Sequence, residues 1–242
     1  MARRHLSVRA SNPQSNPLMS ISRRNFLGSS AVSAAALAAL PKTLFASIPA
    51  DLVPIVQSDE WDLAWPAKLN GKYRAVFDCT EPESGYGVWR ANAWAMQNLS
   101  VMKAAPADVT PAIVLRHNAI VLAMQQSFWD KYGIGKRKNV MHPLTQEPTT
   151  KNPVLLDEKD GIPAPFNTSS LRKQLDRGVV VLACNLALED CIELIKSTDK
   201  VSDEAARKAA IGYLVPGVIL QPSGVFAAIR AQEAGAAYIK AS

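Results

Sequence analysis

Acidic residues are missing from the first fifty positions; the earliest is Asp51. Over residues 1–46 the charged side chains are Arg3, Arg4, Arg9, Arg23, Arg24 and Lys42, all basic. Those six account for the whole formal charge of +6, because the remaining 21 basic residues equal the 21 acidic ones. A chain starting near Ser47 is formally neutral. No basic surface is left to neutralise phosphates, which excludes nucleic acid as an expected partner. Cysteine is also scarce. The three present, Cys79, Cys184 and Cys191, are an odd number and form no C-x-x-C pair. That count does not build a disulfide framework, and with no H-x-x-x-H spacing nothing points to a structural metal site. Internal repeats and a second long apolar run are absent as well.

What stands in the acid-free region is Ser22-Arg23-Arg24-Asn25-Phe26-Leu27-Gly28, followed by the alanine-rich run Ala31–Leu40 and small residues around Phe45-Ala46-Ser47. The order is that of a twin-arginine export signal: a basic region, a short apolar region, then small residues. The expectation is a signal over 1–46, read by the twin-arginine translocation machinery through Arg23 and Arg24, and a periplasmic protein. The apolar run is shorter than the roughly 20 residues that span a bilayer, so no stable membrane span is expected after cleavage.

Residues 47–71 read as an arm packed on the domain that follows. From residue 72 onward, apolar strands alternate with helical periodicity. Lys72–Cys79, Pro111–His117, Val179–Cys184, Val218–Gln221 and an edge segment, Ala236–Lys240, read as strands. Val88–Met102, Ala119–Tyr132, Ser169–Arg177, a segment begun by a capping Asn185, Ser202–Tyr213 and Ser223–Ala234 read as helices. The alternation predicts an α/β three-layer sandwich with a central, mostly parallel sheet. Positions 136–166 interrupt it with prolines at 143, 148, 153, 163 and 165. A stretch of that length is either a functional lid or a solvated excursion.

In such sheets reactive groups gather at the carboxyl ends of the strands. Cys79, His117 and Cys184 fall there. Cys184 precedes a helix N-terminus, whose N–H groups favour a thiolate, and it equally suits a buried inert thiol. Cys191 lies on the apolar stripe of its helix and reads as core. Cys79 can meet Cys184 only if their strands are neighbours. His117 reads as a base, an orienting group or a structural histidine. Gly85-Tyr86-Gly87 resembles a phosphate loop in spacing, but Glu81 and Glu83 repel phosphate, and the glycines read as a turn.

Val179–Asn185 (VVVLACN), Tyr213–Gly217 (YLVPG), Pro222–Val225 (PSGV), Gln232, Gly235 and Ala237–Lys240 (AYIK) together resemble the DsrE/DsrF-like family, and Arg116-His117-Asn118-Ala119 resembles its histidine-containing segment. The resemblance spans roughly residues 72–240. It implies a flavodoxin-like parallel sheet, a homo-oligomer, and sulfur relay through a cysteine persulfide without a cofactor. Cys184 would be the carrier, His117 its orienting or protonating neighbour and Cys79 the resolving thiol, with a sulfur donor or acceptor protein as partner. Asn-Leu-Ala-Leu follows Cys184 where relatives carry a more polar turn. Two other readings stay open: a module binding a small ligand or metal ion beneath 136–166, and a structural subunit of a homo-oligomer.

Overall fold

A computed structural model describes residues 61–164 and 166–242. The twin-arginine segment and the first part of the 47–71 arm lie outside the described residues. Among the described residues no helix is long and apolar enough to cross a membrane.

Five parallel strands form one sheet: β1 (Tyr73–Cys79), β2 (Val109–Leu115), β3 (Val180–Cys184), β4 (Ile219–Gln221) and β5 (Ala237–Lys240), in the order β4-β3-β2-β1-β5. The expected α/β sandwich with a central parallel sheet is what the chain forms. The helices are α1 (Tyr86–Val101), α2 (Gln126–Tyr132), α3 (Ile134–Arg137), α4 (Leu171–Asp176), α5 (Asn185–Asp199), α6 (Asp203–Gly212) and α7 (Gly224–Glu233).

The inner strands are apolar on both sides because both sides are covered. Phe77, Ile113, Leu115 and Val181 point into one core with Val88 and Ala91 of α1 and Leu188, Ile192 and Ile195 of α5. Their neighbours Val76, Ala112, Val114, Val180 and Leu182 point the other way, onto Ala227 and Ala231 of α7 and onto Trp65. The chain steps outward from β1 to β4, then returns along α7 to lay β5 beside β1, with Ala237 opposite Ala75. Trp65 sits in a short 3-10 turn, Trp65–Lys68, and donates its indole N–H to Gln221 Oε1 at 3.0 Å. That bond satisfies two polar groups in an otherwise apolar layer.

Two expected elements differ. The helix expected over Ala119–Tyr132 is instead a 3-10 stretch, His117–Ala123, and the separate helix α2. Between them Met124 is drawn straight into a bridge with Leu214, while Gln125 N–H bonds the Tyr213 carbonyl and Val215 N–H bonds the Ala123 carbonyl. Those tertiary bonds replace the helical ones. Asn185 was expected to cap α5; Cys184 holds the cap position, and the Asn185 side chain accepts from Arg207 instead.

The 136–166 segment is not a solvated excursion. Val140, Val154, Leu156 and Ile162 are buried, and Asn152 is fully so. Asn152 Nδ2 donates to the carbonyls of Leu122 and Met124, and its Oδ1 accepts from Val154 N–H. One side chain thus ties the segment to the extended residue Met124 that separates the 3-10 stretch from α2.

Candidate functional site

The segment 139–166 packs against the first turns of α1, and a cavity of about 320 Å³ lies between them. Its geometry starts in the loop after β1. Glu83, Ser84 and Gly85 have φ of 36°, 58° and 81°, a left-handed run that only glycine adopts without strain. This turn starts α1 at Tyr86. A side chain at Gly85 is also excluded by space: a Cβ there would lie 2.9 Å from Val154 Cγ1. Gly85-Tyr86-Gly87 is therefore a turn and a close approach.

One helical turn further on, Trp89 lies at the cavity mouth and pairs with Phe166, ring centres 6.2 Å apart and planes 27° from parallel. Tyr86 meets the other edge of Trp89 at 6.4 Å and 81°. The Tyr86 hydroxyl donates to the Pro143 carbonyl at 2.8 Å and accepts from Gln146 at 3.2 Å, which pins the segment over the helix. Val154, Leu156 and Ile162 form the floor. Behind the wall, Gln174 Nε2 donates to the carbonyls of Val88 and Ser169, while its buried Oε1 has no partner among the described residues. No Asp, Glu, Lys, Arg or His lines this cavity. Its chemistry is shape, aromatic faces and a few hydroxyls, which suits binding rather than proton transfer.

The three residues expected to carry chemistry lie elsewhere. Cys79 ends β1 fully buried against α1, where a Cβ on Gly87 would fall 2.5 Å from its sulfur. Burial, then the charge of Asp78, pushes its thiol up to about 12. Cys184 ends β3 and is 6% exposed. Cys191 is buried on α5, and burial pushes it up to about 12. The strand order puts β2 between β1 and β3. Two strand spacings are about 10 Å, beyond the reach of a disulfide, so the neighbour condition for pairing Cys79 with Cys184 is not met. All three thiols are free. His117 heads the loop after β2, exposed, with φ of 49°. No group of three or more His, Cys, Asp or Glu suited to a metal ion occurs among the described residues.

Sequence reasoning passed over a second arrangement at the strand ends. Asp78, buried on β1, receives two bonds of 2.7 Å from Arg116 and one of 2.6 Å from the Tyr238 hydroxyl. Burial raises the Asp78 carboxyl, and the hydrogen bonds from Arg116 and Tyr238 with the Arg116 charge outweigh it, so its pKa lies below the ordinary value. An aspartate inside the apolar strand AVFDC was the signal, since buried carboxylates need partners. The cavity had no comparable signal, because its walls come from residues some 80 positions apart in sequence. Comparisons with protein-family models, with curated proteins and with solved structures returned no match for this chain.

Proposed function

We propose that this protein is an exported, DsrE-like binding module that holds a small, uncharged, largely apolar ligand between α1 and the 139–166 segment. The observation that carries this reading is the cavity itself: about 320 Å³, floored by buried aliphatic side chains, rimmed by aromatic rings and lined by no charged group. Its size is at the lower end of small-molecule sites, roughly 300–1,000 Å³. In this reading the twin-arginine leader delivers a folded protein to the periplasm, and binding requires no metal or cofactor. Assembly into a homo-oligomer belongs to the same proposal.

A second reading, sulfur relay, rests on Cys184. It is the least buried of the three thiols and stands at the N-terminus of α5. There a thiolate attacks the sulfane sulfur of a donor, the donor's S–S bond breaks, and Cys184 leaves as a persulfide while the donor departs as a thiolate. His117, at the end of the adjacent strand, would supply or hold the proton. Cys79, two strands away and packed beneath α1, is poorly placed to resolve that persulfide.

One experiment separates the readings. Neutral small molecules are screened by thermal melting against the purified chain, Val154→Trp and Cys184→Ala. Binding in the cavity raises the melting temperature of the chain and of Cys184→Ala but not of Val154→Trp, whose indole fills the space. Failure of every compound to stabilise the chain, together with persulfide uptake lost in Cys184→Ala, overturns the first reading in favour of the second.

A further inference from the structure

Building on the cavity reading, we infer that the ligand is a flat, uncharged aromatic ring system that enters between Trp89 and Phe166. These rings are 6.2 Å apart at their centres and 27° from parallel. A planar ring sandwiched between two others needs about 3.5 Å on each side, hence about 7 Å in total. Trp89 and Phe166 are stacked on one another, so Phe166 has to move off Trp89 to admit one. Both residues have room to move, since Trp89 is 37% and Phe166 39% exposed, unlike the buried floor beneath them.

The pair is also asymmetrically supported. Trp89 is backed edge-on by Tyr86, whose hydroxyl is held between Pro143 and Gln146. Phe166 has no such backing ring among the described residues, so Phe166 is the moving jaw. Two aromatic faces reward a third by stacking, which a saturated ring of the same size does not obtain. The lining adds a charge argument. With no charged side chain around it, a carboxylate or ammonium entering the cavity loses its water without gaining a partner. Three of the four hydroxyls in the lining are already engaged: that of Tyr86 as above, Ser169 Oγ with the Phe166 carbonyl, and Ser170 Oγ with the Lys173 N–H. Selection therefore falls on flatness and neutrality.

The test is calorimetric titration of the purified chain with three probes of equal skeleton: 2-naphthol, its fully saturated counterpart decahydro-2-naphthol, and 2-naphthoate. The expected result is that 2-naphthol binds at least tenfold more tightly than either of the others. Trp89→Leu and Phe166→Leu, both partly exposed positions, are expected to remove that preference while leaving the melting temperature unchanged. Equal binding of 2-naphthol and decahydro-2-naphthol overturns the aromatic slot and leaves the binding-module reading standing. Tighter binding of 2-naphthoate overturns the neutrality of the site. Absence of binding by all three, and by the wider neutral screen, removes the cavity reading and this inference with it.

Discussion

Arg116 grips Asp78 with two parallel bonds, Nε to Oδ1 and Nη2 to Oδ2, each 2.7 Å, across the carboxyl ends of β1 and β2. The Asp78 side chain is 2% exposed and that of Arg116 19%. The pair has a third partner in Tyr238 of β5, so one carboxylate joins three consecutive strands of the sheet. α7 begins directly over the guanidinium stem: a Cβ on Gly224 would lie 2.6 Å from Arg116 Cβ. A buried charge with every partner in place holds the sheet order; a buried charge with one partner removed opposes folding.

Removing one member should therefore be costly. Arg116→Met is expected to lower unfolding free energy by about 3 kcal/mol, the scale for breaking a buried pair, measured by denaturant titration. Asp78→Asn, which leaves Arg116 without its counter-charge, is expected to be destabilising as well and in addition to change the pH dependence. The folded pKa of Asp78 is depressed, so its contribution is full above the ordinary value of 3.8 and is lost as pH falls through the lower folded value. The variant should lack that acid limb; an unchanged acid limb would show that Asp78 is not held ionised.

The thiols should differ in reactivity. Cys79 and Cys191, raised to about 12, are almost entirely protonated at pH 8. Mass spectrometry after iodoacetamide treatment of the folded chain is expected to find both unmodified when Cys184 has reacted. Denaturant should make all three react. Rapid native labelling of Cys79 would contradict its placement under α1.

Gly87 is expected to tolerate no side chain. Its Cβ position lies 2.5 Å from Cys79 Sγ, so Gly87→Ala should destabilise by about 1–3 kcal/mol through overpacking. Cys79→Ala in the same chain should recover part of the loss. Purely additive effects would mean that the two residues do not touch.

Asn152 should govern the order of the 139–166 segment. Asn152→Ala leaves the Leu122 and Met124 carbonyls and the Val154 N–H without their side-chain partner. The expected cost is on the order of 3 kcal/mol, with hydrogen exchange accelerated over residues 140–162 and little changed in β1–β3. A uniform rise in exchange across the sheet would show that the segment and the sheet unfold as one unit.

The fold class was legible because its signals are local. VVVLAC is apolar throughout, as a doubly covered strand must be, and Leu188, Cys191, Ile192 and Ile195 recur at helical spacing and are all buried. Ser202 and Ser223 open the segments read as helices, and both accept a capping bond at the start of α6 and α7, from Ala205 and Phe226. Strand order was not legible, since no local pattern says that β5 returns to β1 or that β2 separates Cys79 from Cys184. The cavity was hidden for a related reason. Trp89 reads as one more residue of a helix and Phe166 as one of a proline-rich stretch; only the tertiary packing of the 139–166 segment on α1 brings them together. His117, read as chemistry at a strand end, is exposed with φ of 49° and is not part of the cavity lining.

The central claim is that ligand enters the space between α1 and the 139–166 segment, and the most direct measurement is NMR mapping of the purified chain titrated with 2-naphthol. The expected result is saturable shifts at the Trp89 indole, Phe166, Val154 and Ile162, absent in Val154→Trp. Saturable shifts centred instead on Cys184 and the start of α5, with those four residues unmoved, would contradict it.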